Sequence, residues 1–138
     1  MANQERPRAP HPRPLSPHLQ VYRWQVQMVT SILHRATGVI LTLGSLLVVW
    51  ALLALAAGPE RWAQFADCVR SPLGFVVLFG WSWALAYHLL NGIRHLVQDA
   101  GYGYSIEKFV RSSWISIIGS LALTVLIWVL AMMQRGAA

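Results

Sequence analysis

The chain has 138 residues, of which 56% are hydrophobic and 12% charged, with a formal net charge of +6. The apolar share exceeds the roughly 45–50% of an ordinary soluble domain and excludes extended disorder. A single cysteine, Cys68, excludes an internal disulfide, a cysteine zinc site or an iron–sulfur cluster held by this chain alone.

Residues 1–23 form a head with five of the seven prolines, read as extended or polyproline-like and lying along the membrane face or a partner. It has no apolar central region of a signal peptide, nor the length and serine content of a mitochondrial transit peptide, which points to a bacterial inner membrane. The remainder, 24–138, reads as one membrane anchor. Three stretches, 36–58, 71–93 and 112–134, carry no Asp, Glu, Lys or Arg, and each is 23 residues long. A helix of that length reaches ~34 Å, enough for a hydrocarbon core of ~30 Å. A soluble bundle would show polar residues every third or fourth position, and Leu41 to Gly58 shows no such face. The expected fold is therefore all-α and integral to the membrane, with helices at about 26–58, 71–98 and 109–134.

The first helix is expected to begin around Gln25 to Met28, with Ser31, Arg35, Gly38 and Ser45 along one side. Gly58 to Arg70 reads as an external loop. Ser71-Pro72 opens the second helix, which runs toward Asp99, and the Ala100 to Ser105 segment supplies a turn. Ile106 to Arg111 is placed at the interface before the third helix, where Ser116, Ser120 and Thr124 read as packing. Eight of the 11 Lys and Arg residues fall before the first uncharged stretch and in the second connection, against three in the first connection and the tail. The positive-inside rule then sets the amino terminus in the cytoplasm and the carboxyl terminus outside. The same distribution accounts for the net charge without nucleic acid.

Chemistry concentrates on the second helix. His88 lies six residues beyond the middle of its stretch, about 9 Å toward the cytoplasm and still in hydrocarbon, where an ionisable side chain is costly and a functional site is the default reading. His95 follows seven residues later, and Asn91 and Gly92 share that face. Measured from the ends of the uncharged stretches, Arg35 sits ~7.5 Å nearer the cytoplasm than His88. That offset suits a haem held by His88 with its propionates at a cationic rim. His34 and His95 are placed at this rim, so the chain offers no second axial ligand at the depth of His88. The other reading, a neutral histidine packed against a neighbouring helix, stays open from spacing alone.

Three segments, Arg13 to Tyr22 (RPLSPHLQVY), Ser31 to Gly38 (SILHRATG) and Tyr87 to Asp99 (YHLLNGIRHLVQD), together resemble the cytochrome b556 membrane-anchor subunits of succinate dehydrogenase, respiratory complex II. The resemblance implies that His88 is the axial ligand to haem b, the second ligand coming from a companion small anchor subunit. It implies that His34, Arg35 and His95 stand near the propionates, that Ser31 and Arg35 border a pocket for ubiquinone or menaquinone, and that Asp99 lies near a proton entry. FAD and iron–sulfur clusters would belong to the flavoprotein and iron–sulfur subunits, and this chain would contribute electron transfer and quinone binding. A haem-free structural anchor and the anchor of a quinol:fumarate reductase are the alternatives.

Overall fold

The computed structural model describes residues 22–136, and the head reading, including His11, His18 and the first motif up to Val21, lies outside them. Four helices follow in chain order: α1 (Val26–Ala56), α2 (Pro59–Arg70), α3 (Pro72–Asp99) and α4 (Ile106–Gly136). Three of them, α1, α3 and α4, are long and apolar enough to cross a membrane. No strand occurs among the described residues.

Burial in this bundle is inverted relative to a water-soluble protein. The interior holds Thr30, Thr37, Asn91, Arg94, Gln98, Ser113, Ser116, Ser120 and Thr124, while Leu43 and Leu46 are 63% and 66% exposed. Water would penalise such a surface, whereas lipid tails do not, and small hydroxyl residues let helices approach closely in a bilayer. Each buried hydroxyl on α4 bonds a carbonyl of its own helix: Ser113 to Phe109, Ser116 to Ser112, Ser120 to Ile117 and Thr124 to Ser120. The row therefore adds no unsatisfied donor inside the bundle.

The connection read as a loop, Gly58 to Arg70, is mostly helical. Gly58 reverses the chain at φ 109°, Pro59 occupies the first turn of α2, and Trp62, Phe65 and Val69 recur at helical spacing. Counting only charges hid that period. Trp50 of α1 meets Phe65 edge-on at 4.8 Å, and Cys68 is exposed on α2. Ser71 then caps α3, its hydroxyl accepting from the Gly74 amide at 3.1 Å and donating to the Cys68 carbonyl at 2.7 Å. The turn after Asp99 uses Gly101 at φ 88°. Helix α4 starts at Ile106, three residues before the expected boundary, because the Phe109 amide bonds Ser105 and carries the interfacial segment into the helix.

Adjacent spans run antiparallel in a register that side chains fix. On the α1–α3 seam His88 lies beside Thr37, and seven residues on Trp81 lies beside Gly44, where a Cβ would collide with the indole. Tyr87 donates to the Thr30 carbonyl at 2.9 Å. On the α3–α4 seam Trp83 donates to Ser120 at 3.2 Å and Arg94 to Ser112 at 2.9 Å.

Candidate functional site

The site grows from the α1–α3 seam. Helical spacing aligns His34, Thr37 and Gly38 on α1 opposite His88, Gly92 and His95 on α3. The imidazoles of His34 and His88 stack at 3.9 Å between centroids with their planes 10° apart, and His95 stands 5.1 Å from His34 at a tilt of 53°. Nδ1 of His88 lies 3.2 Å from the Thr37 hydroxyl and 3.2 Å from the His34 carbonyl. A carbonyl only accepts, so the proton sits on Nδ1 and the lone pair on Nε2. Gly38 makes room for the His88 ring, since a Cβ there would come within 3.2 Å of Cε1, whereas a Cβ at Gly92 would meet His34 Cε1 at an ordinary 3.9 Å.

The structure brings His34, His88 and His95 together and leaves the other sequence-selected residues around them. Ser31 is half-buried, one turn before His34, and lines an open cleft of about 440 Å³ with Trp24, Gln27, Met28, Ile32 and Phe109. Arg35 and Asp99 are exposed, Asp99 at the last position of α3.

Two expectations need correction. His34 does not stand apart at a rim; it lies against His88. The ~7.5 Å offset of His88 from Arg35 also fails, because His88 is level with Thr37, two residues and ~3 Å from Arg35 along the axis. The cause is Arg94, which ends the uncharged stretch of α3 without marking its water boundary. It is 9% exposed, its Nε bonded to Ser112, its Nη1 3.4 Å from the Asn91 carbonyl oxygen, and its guanidinium 4.4 Å over the Phe109 ring.

The stripe on α1 is displaced by one residue as well. Thr30, Thr37 and Gly44 are the buried row, whereas Arg35 and Ser45 are exposed. Gly38 of the expected row meets α3, at His88. Thr37 and Arg94 are thus the residues that sequence reasoning missed. The seven-residue spacing of Thr30, Thr37 and Gly44 was the signal for Thr37, matched by the equal spacing of Ser31, Gly38 and Ser45.

Residues 9–127 match the family described as succinate dehydrogenase/fumarate reductase transmembrane subunit. The chain belongs to this family. It is 52% identical over 114 residues to the succinate dehydrogenase cytochrome b556 subunit of Paracoccus denitrificans, covering 83% of this chain and 88% of that one. The subunit of the same name from Rickettsia conorii is 43% identical over 117 residues, covering 85% and 91%. The mitochondrial succinate dehydrogenase cytochrome b560 subunit of Sus scrofa is 39% identical over 108 residues, covering 77% and 64%. As a succinate dehydrogenase anchor of this family, the chain is a multi-pass membrane subunit of an oxidoreductase complex.

Proposed function

We propose that this anchor holds haem b through His88 and helps to form the site where quinone is reduced with electrons from succinate. The observation that carries the reading is the imidazole cluster in the α1–α3 seam. Its residues fit a haem. Nε2 of His88 carries an in-plane lone pair, which stacking by His34 on the ring face does not obstruct. Nδ1 of His34 is buried without a hydrogen-bond partner among the described residues, a polar atom that a bound group would satisfy. Gly38 leaves the His88 ring its space in the seam.

Bound haem supplies a one-electron carrier; this chain supplies its surroundings. His88 would supply one ligand to the iron, and the companion small anchor subunit would supply the other. His34, Arg35 and His95 serve the propionates, Arg35 as a permanently charged guanidinium suited to a carboxylate. Ser31 donates to a quinone carbonyl of ubiquinone or menaquinone in the open cleft, and Arg35 offsets the negative charge that arrives there with each electron. Asp99, exposed at the end of α3, serves proton entry. Residues 1–23 form the cytoplasmic head of the anchor 24–138, the carboxyl terminus lies outside, and the membrane is a bacterial inner membrane. FAD and the iron–sulfur clusters reside in the flavoprotein and iron–sulfur subunits.

The test is a reduced-minus-oxidised absorption spectrum of the complex purified in mild detergent from its native membrane. Low-spin b-type bands are expected. Their absence from a complex that still oxidises succinate would leave a haem-free anchor.

A further inference from the structure

We infer that Thr37 is a positioning residue, whose hydroxyl fixes the imidazole of His88 with Nε2 as its ligating nitrogen. The inference rests on the reading of His88 as an iron ligand and extends it to a side chain that does not touch the iron.

Thr37 is 1% exposed, in the heart of the α1–α3 seam. Its Oγ1 lies 2.8 Å from the Leu33 carbonyl, 3.0 Å from the His34 carbonyl and 3.2 Å from His88 Nδ1. The hydroxyl has one proton, and the two carbonyls of its own helix can only accept it. With that proton spent on a carbonyl, the remaining lone pairs of Oγ1 face His88 as an acceptor. The His34 carbonyl presents a second acceptor to the same nitrogen at 3.2 Å. Placing the proton on Nε2 would set the Nδ1 lone pair against the carbonyl lone pairs of His34. Both acceptors therefore select Nδ1–H.

Threonine suits the position for a second reason. A β-branched side chain on a helix is stiff about χ1, and the bond back to the preceding turn holds Oγ1 in place. The acceptor is thus part of the frame of α1 rather than a mobile group. An acceptor on the far nitrogen of a ligating histidine fixes its tautomer and ring orientation and makes the ligating nitrogen more basic. A more basic ligand favours the oxidised iron, so the hydroxyl lowers the potential of the haem that His88 holds. Gly38, the next residue, leaves the Cε1 edge of the same ring its space, so consecutive residues of α1 define two edges of the imidazole.

The experiment compares Thr37→Ser and Thr37→Ala in the assembled complex by redox titration of the haem and by low-temperature EPR of its oxidised form. Both variants lack the methyl group, and only the first keeps the hydroxyl. The expected result is a raised midpoint potential and shifted low-spin g values in Thr37→Ala, with Thr37→Ser at the wild-type values. Haem lost from Thr37→Ala and retained by Thr37→Ser would support the same conclusion. Wild-type potential and g values in Thr37→Ala would overturn it, as would a Thr37→Ser complex changed as much as Thr37→Ala, since packing of the methyl would then be the cause. His88→Ala, measured alongside, separates the two levels: retained haem there sinks the ligand assignment, whereas lost haem with an unresponsive Thr37 sinks only the positioning role.

Discussion

The end of the bundle where α1 begins and α3 finishes differs in kind from the opposite end. Four of the five buried side-chain polar atoms without a partner among the described residues, on Gln27, His34, Asn91 and Arg94, lie at the first end, and the fifth is the Trp81 indole nitrogen. The opposite end is closed by aromatic contacts: Trp50 on Phe65, and Phe75 and Phe79 on Trp128, all edge-on at 4.6 to 5.6 Å. Edge-to-face pairs satisfy themselves, whereas buried nitrogen and oxygen atoms without partners carry a free-energy cost that only another group can remove. One end holds the helices together, and the other is built to receive something.

Substitutions at the two ends sharpen this contrast. Gly44→Ala puts a Cβ into the Trp81 indole and should destabilise the complex by about 1–3 kcal/mol, as overpacking does. Thermal unfolding in detergent would show a lower midpoint, and an unchanged midpoint would mean that the seam is looser than its geometry. Ser31→Ala and Arg35→Ala should each slow succinate-driven quinone reduction roughly tenfold, the kinetic equivalent of one ~1.4 kcal/mol interaction. Reduction of a soluble dye by succinate should remain intact, and parallel loss of both activities would signal failed assembly instead. Tyr87→Phe removes the 2.9 Å bond to Thr30 and should cost about 1 kcal/mol. Its haem spectrum should match the wild type, because that bond braces the seam without reaching the imidazoles. Ser120→Ala, which removes the Trp83 partner at 3.2 Å, should cost about 0.6 kcal/mol, the typical worth of an interhelical hydrogen bond in a bilayer. A larger loss would place a functional demand on a region read as packing.

The spans were legible because charge stops where lipid begins. Uncharged runs located three helices, and Ser71-Pro72 located the start of α3. The same rule failed at Arg94, a charge that is buried on Phe109, Ser112 and Asn91, and with it failed the depth of His88. Sequence spacing also brought His88, Asn91, Gly92 and His95 to one face of α3. It could not choose the inward face of α1, because lipid accepts an apolar helix in any rotation and the rows from Ser31 and from Thr30 share one period. Packing of Trp81 on Gly44 and of His88 on Thr37 makes that choice, and neither contact is written in α1 alone. Amphipathic α2 stayed hidden because its charges were read only as the edges of its neighbours.

The most direct measurement is the reduced-minus-oxidised spectrum of a complex carrying His88→Ala, normalised to its flavin content and compared with the wild type. Loss of the low-spin b-type bands with succinate-to-dye activity preserved is the outcome required if His88 holds the haem. Full bands in the assembled variant would contradict the account and return His88 to the role of a packed histidine.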